Sequence, residues 1–130
     1  MTKMTITLDI GGEGRHPGAL NLNRSRYKTL GAERGSPIPN VIVARADRIP
    51  LADGSVQHVI VERTPLSRTA LAEIARVVAP GGTIELAHVP LPGEDRHAQA
   101  LAILPGRTQR RLRQIASQWV QETHFTVPAL

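Results

Sequence analysis

The chain has 130 residues, 41% of them hydrophobic and 21% charged, the proportions of one globular domain with a single buried core rather than of a disordered chain. Sixteen Lys and Arg against eleven Asp and Glu give a formal charge of +5, and cysteine is absent, which excludes disulfides, thiolate metal sites and thiol nucleophiles. No apolar run approaches the ~20 residues of a membrane span and the amino end lacks a secretory pattern, so a cytoplasmic protein without a membrane partner is expected.

Residues 5–10 alternate β-branched and apolar side chains before Gly11 and Gly12, which predicts a buried strand entering a tight turn. Residues 19–23 predict a second short strand. Apolar runs at 40–44, 56–62 and 83–89, each bounded by Gly, Pro or Asp, predict three more. Between the last two, Ala70, Leu71, Ile74, Ala75, Val77 and Val78 share one helical face, with Ser67 as its cap and Pro80-Gly81-Gly82 as its stop. Strand, helix and strand at this spacing predict a right-handed parallel crossover. Helices are expected over roughly 95–104 and 108–123, then a strand near 125–127. The fold expected is α/β: one domain over residues 1–130, a doubly wound, mostly parallel Rossmann-like sheet with helices on both faces.

Four of the arginines, Arg107, Arg110, Arg111 and Arg113, cluster near the carboxyl end. They either neutralise nucleic-acid phosphates or form the solvated side of a helix whose other side carries Leu112, Ile115, Ala116, Trp119 and Val120. The apolar stripe is explicit and the basic run short, so the second reading is preferred and a nucleic-acid partner is not expected. With only Tyr27, Trp119 and Phe125 aromatic, repeated stacking of bases or sugars is hard to build.

In doubly wound sheets ligands sit at the carboxyl ends of the strands, where strand order reverses. That directs attention to residues 9–18, Asn23, residues 46–47, 62–65 and 88–90. Here ADRIPLADGSVQHVIVER, followed by ALAEIARVVAPGGTIEL, resembles the middle of a class I S-adenosylmethionine-dependent methyltransferase of the small-molecule, type 11-like kind, in which LPFPDGSFDLV leads to LREIARVLKPGG. Upstream, LDIGGEGRHPGALNLN resembles the family's glycine loop in its variant that continues to PGWxNVD. The matching segments run over about residues 6–89.

The resemblance implies S-adenosylmethionine as cofactor and a small-molecule acceptor. It places Asp9 near the methionine ammonium, lets backbone at Gly11, Gly12 and Gly14 approach the ligand, and gives Asp47 the adenine amino group. Glu62 to Thr64 would close over the ligand and begin the substrate site. Each position also has a plainer use: Asp9 as a turn cap, Asp47 as the opening of an Asp-Arg-Ile-Pro turn, and Asp53-Gly54 as a simple turn.

Departures from the family pattern matter equally. Asn23 stands where the family has an acid for the ribose hydroxyls, and an amide accepts without charge assistance. Glu13 stands where many relatives have glycine and would repel the ligand carboxylate unless Arg15 or Arg24 offsets it. Only residues 11–18 separate the first two predicted strands, too few for a crossover helix. The amino-terminal cover of many relatives is also missing, so the pocket is open or is completed by a second copy or a partner protein. His88, at the end of the fifth strand, is the best-placed imidazole for a general base, with Glu62 and Arg63 to orient a substrate; a lone strand-end histidine is also a common structural residue. His16 sits in a His-Pro-Gly turn, and His58, His97 and His124 fall in no metal-ligand spacing. Three functions remain: a small methyltransferase, a methyltransferase-like protein that has lost transfer and acts as a binding or partner subunit or in another reaction, and, lowest, a nucleic-acid-binding module.

Overall fold

The computed structural model describes residues 5–130. Four short strands come first, β1 (Thr7–Ile10), β2 (Leu20–Asn23), β3 (Val41–Val43) and β4 (Val56–Glu62). Helix α1 (Arg68–Val77) leads into the long strand β5 (Val78–His88), and a short helix α2 (Ala98–Ile103) precedes β6 (Arg107–Ile115) and β7 (Gln118–Thr126). All seven strands join one sheet in the order β3-β2-β1-β4-β5-β7-β6. The first five predicted strands form its parallel part, whereas β7, which takes in most of the sixth, runs antiparallel to both β5 and β6. No helix is long and apolar enough to cross a membrane among the described residues.

Strand alternation builds the core. Leu8, Ile10, Leu22, Val59, Val61, Ile84, Leu86 and Phe125 are buried and in register on one face. Helix α1 lays Ala70, Leu71, Ile74 and Val77 on that face, each large side chain contributing about 1.5–3 kcal/mol by leaving water. Its first turn is capped as predicted, Ser67 Oγ accepting from the Ala70 amide at 3.1 Å. Its end is not as predicted. Val78 is already extended and pairs with Val56, so the helix stops three residues before Pro80. Pro80-Gly81-Gly82 instead form an irregularity in β5, where Val78 faces Val56 and Thr83 faces His58. A Cβ on Gly82 would lie 2.6 Å from the Gln57 carbonyl oxygen, so the close approach of β4 requires glycine there.

Two further expectations are corrected. Both helices pack into the same apolar cluster, so the doubly wound arrangement with helices on both faces is not formed among the described residues. Residues 11–19, joining β1 to β2, and 24–40, joining β2 to β3, contain no helix. The opposite sheet face therefore carries Asp9, Asn21, Glu62, Glu85 and Glu122 without a helical cover.

The predicted helix over 108–123 is a β-hairpin. A helix there would leave the β5 edge without backbone partners; β7 pairs with it from Thr83 to His88 and seats Phe125 opposite Ile84. The supposed apolar stripe is not buried as a unit: Leu112, Ile115 and Trp119 are 59%, 44% and 49% exposed, and Val120 is buried. Three of the four arginines are ion-paired there: Arg111 and Arg113 share the buried Glu122 at 2.5 and 3.4 Å, and Arg110 meets Asp95 at 2.7 Å.

A buried polar chain ties these elements together. His88 Nε2 donates to the Thr64 carbonyl at 2.8 Å, which makes its Nδ1 the acceptor for His97 Nε2, also at 2.8 Å. His97 Nδ1 then accepts from the Thr123 hydroxyl at 2.7 Å. One proton per ring satisfies every link, so both imidazoles are held neutral. Burial lowers His88, and burial, with the fields of His88 and Arg110, lowers His97 to about 4.

Replacing Ala116 by Gly distinguishes hairpin from helix by sign. Ala116 has φ 55° in the turn between β6 and β7, a conformation that favours glycine, so Ala116→Gly should raise the denaturant midpoint; in a helix it would cost about 1 kcal/mol. The histidine chain predicts acid lability. The unfolded chain, with histidine at 6.5, binds more protons than the folded one, so the contribution is complete above pH 6.5 and is lost as pH falls toward about 4. Denaturation at a series of pH values should show wild type losing stability more steeply than His97→Gln, by up to about 1.4 kcal/mol per pH unit.

Candidate functional site

A cavity of about 460 Å³ opens at the carboxyl ends of β1 to β4, where the strand order reverses. Its size suits a nucleoside-sized ligand. Ile10, Leu22, Ala44 and Ala46 supply apolar walls, while Gly11, Asn23, Asp47 and Thr64 supply polar groups. Of the residues singled out in the sequence, Gly11, Asn23 and Asp47 meet here. Asp9, Gly12, Gly14, Glu62, Arg63 and His88 do not line this cavity.

The glycine loop is set by close packing within the chain itself. Thr64 sits against Gly11, where a Cβ would collide with its hydroxyl, and a Cβ on Gly12 would lie 2.5 Å from the Asp9 carboxyl carbon. Gly14 has φ 102° and would press on Pro39. The buried Asn21 locks this arrangement, its Oδ1 accepting from the Gly14 amide at 3.2 Å and its Nδ2 donating to the Pro39 carbonyl at 2.8 Å. Beneath Gly12, burial pushes the Asp9 carboxyl up to about 6 against the lowering field of His16.

Both ends of the Asn23 amide are engaged: Nδ2 donates to the Gly12 carbonyl at 3.0 Å and Oδ1 accepts from the Ser25 amide at 2.9 Å. One Oδ1 lone pair is left for a ligand. Asp47 is half-buried and accepts from Arg45 at 3.2 and 3.3 Å. The loop after Asp47 is pinned to α1, since Arg76 donates to the Ile49 and Leu51 carbonyls and Glu73 accepts from the Ile49 amide at 2.9 Å. Glu13 does not line the cavity and accepts from the Thr29 amide and hydroxyl and the Leu30 amide. These bonds overcome the upward push of burial and lower its carboxyl.

The proposed catalytic trio is dispersed. Glu62 lies on the uncovered sheet face, held by Arg15 at 2.7 Å and His16 at 2.5 Å. Burial raises its carboxyl, but these two hydrogen bonds prevail and lower it. Arg63 has φ 58° and reaches Gln118 Oε1 at 2.9 Å, toward the hairpin. His88 spends both ring nitrogens in the buried chain described above, which leaves it no lone pair for a substrate proton. Asn21, Arg45 and Arg76 were not singled out in the sequence. An asparagine inside a strand of apolar neighbours was the visible signal for Asn21, whereas Arg76 looked like an ordinary exposed helix position.

No protein-family model and no curated protein matches this sequence. Solved structures match it across nearly its whole length. A possible histamine N-methyltransferase from Thermotoga maritima aligns with TM-score 0.67 at 15% identity, over 97% of this chain and 84% of its own. The 16S rRNA (adenine(1408)-N(1))-methyltransferase from Catenulisporales acidiphilia, solved with its cosubstrate SAM, gives 0.64 at 16% identity over 95% and 85%. The N-methyltransferase NodS from Bradyrhizobium japonicum gives 0.63 at 13% identity over 95% and 86%. Identities this low speak to architecture alone, and by that architecture the chain has the class I methyltransferase fold.

Proposed function

We propose that the protein is a methyltransferase that binds S-adenosylmethionine in the cavity at the carboxyl ends of β1 to β4. The observation that carries this reading is the meeting of Gly11, Asn23 and Asp47 around an apolar-walled cavity of about 460 Å³ at the point of strand-order reversal. The residues fit the adenosine half of the ligand. Ile10, Leu22, Ala44 and Ala46 would flank the adenine, the Asp47 carboxylate would accept from its amino group, and the spare Asn23 lone pair would accept from one ribose hydroxyl. Asp47 would exchange Arg45 for the ligand, since its bonds to that guanidinium are long.

S-adenosylmethionine supplies a methyl group made electrophilic by its sulfonium. The chain's part is to position an acceptor in line and to exclude water, which is where most of the rate enhancement of such transfers arises. With His88 committed to Thr64 and His97, the structure favours an acceptor that needs no strong side-chain base. A second reading is favoured by Asn23 and Asp47 being already engaged within the chain: a methyltransferase fold that has lost transfer and serves as a binding subunit.

Titration calorimetry with S-adenosylmethionine and S-adenosylhomocysteine separates the two. Saturation at a hundred times the dissociation constant should add about 2.7 kcal/mol of stability, a rise of several degrees in Tm for a domain of this size. Absence of binding at millimolar ligand would remove the methyltransferase reading and leave the second. Where binding is found, Asp47→Ala should weaken it about ten- to a hundredfold, the worth of a charge-assisted hydrogen bond; an unchanged affinity would remove Asp47 from the site.

A further inference from the structure

We propose that the loop of residues 24–40, between β2 and β3, holds a single strand of RNA at the mouth of the cavity. The charge distribution points there first. Residues 24–48 carry Arg24, Arg26, Lys28, Arg34, Arg45 and Arg48 against Glu33 and Asp47, which accounts for +4 of the chain's formal +5. On the hairpin, Arg110, Arg111 and Arg113 are engaged by Asp95 and Glu122, and of the four arginines there Arg107 alone forms no ion pair among the described residues. Within the loop Lys28 pairs with Glu33, and beyond β3 Arg45 pairs with Asp47; Arg24, Arg26 and Arg34 in the loop, and Arg48 after β3, are exposed and form no ion pair among the described residues. Exposed, uncommitted guanidinium groups are what phosphate neutralisation requires.

Tyr27 adds a second and independent feature. It is 55% exposed and follows the exposed Arg26 in the chain, so an accessible aromatic side chain lies within the basic loop. That combination grips an unstacked base and its backbone, the recognition mode of single-stranded RNA, and has no use for a duplex whose bases are stacked inside. A single stacking position suffices for one base held at a defined place.

The loop is also built to hold its shape. Tyr27 bridges to Pro37, Lys28 donates its amide to the Ser36 carbonyl, and Ile38 donates to the Arg26 carbonyl, both at 2.8 Å. Ile38 is buried and Glu13 fastens Thr29 and Leu30 to the glycine loop. Arg24 at its base lines the cavity itself, so a strand lying along Arg26 and Tyr27 runs past the cavity mouth. That the held RNA is the methyl acceptor rests on the methyltransferase reading; that it is held does not.

Fluorescence anisotropy with a short, unstructured, end-labelled RNA, titrated at several salt concentrations, tests this. Wild type should bind with a strong salt dependence. Arg26→Ala and Arg34→Ala should each reduce the slope of log affinity against log salt by about 0.7, and Tyr27→Ala should weaken binding about five- to a hundredfold. Arg107→Ala, the same charge change on the hairpin, should leave the slope as it is. Equal losses from loop and hairpin variants, equal affinity for the corresponding duplex or for single-stranded DNA, no RNA binding, or binding of anionic phospholipid vesicles in place of RNA would each overturn the proposal. Circular dichroism and Tm of each variant confirm that these exposed positions leave the fold intact. Calorimetry with S-adenosylmethionine on the same samples keeps the two readings apart. RNA binding without cofactor binding sustains this proposal and ends the methyltransferase reading, and the reverse result ends this proposal alone.

Discussion

The nine residues between Ile10 and Leu20 are the constraint on which the rest of the molecule depends. A parallel connection of that length cannot carry the usual crossover helix, so one face of the sheet goes without the cover that a doubly wound fold provides. Apolar side chains on that face would have been exposed. The strands instead place Asp9, Asn21, Glu62, Glu85 and Glu122 there, and pair Glu62 with Arg15 and His16 and Glu122 with Arg111 and Arg113. The same short connection brings the glycine loop down onto the strand ends, where Asn21 replaces the missing helix as its anchor.

With one helical layer instead of two, buried polar contacts take over work that packing does elsewhere. The chain from Thr64 through His88 and His97 to Thr123 joins β4, β5, the start of α2 and β7. It also fixes Thr64, whose side chain rests on Gly11 at the cavity wall. On the far side of the cavity, Arg76 and Glu73 fasten the segment after Asp47 to α1. The cavity is thus held between two polar clamps, and its apolar walls are kept in place by neutral imidazoles and an ion-paired arginine that lie behind them.

Much of this was legible in the residues, and the misses share a cause. The parallel strands and α1 showed themselves because each carries its own periodicity and its own boundary residues; Ser67 and the buried face of α1 emerged as read. The missing helix between β1 and β2 was visible as a matter of length. The hairpin was not, because Leu112, Ile115, Trp119 and Val120 satisfy a helical period by coincidence, and what decides the matter is the unpaired edge of β5, a tertiary fact. His88 was found as a site residue by position, but its partner His97 lies nine residues on and Thr123 further still, so its structural employment could not be read locally. For the same reason three arginines of the basic cluster that stood out, Arg110, Arg111 and Arg113, meet distant carboxylates, while Arg24, Arg26, Arg34 and Arg48 form no ion pair among the described residues.

Strand β6 is the outermost in the sheet, nine residues long and exposed along its whole length. Such an edge offers a row of unsatisfied amides and carbonyls to any other chain that arrives extended. A second copy docking edge to edge would have to bring its own Arg107, Arg110, Arg111 and Arg113 against these four, on both sides of the new ladder. Arg107 has no ion pair among the described residues and Arg111 and Arg113 share the single carboxylate of Glu122, so that border keeps a net positive charge, and the feature that most resembles a binding surface in the sequence disfavours edge-to-edge pairing of two copies.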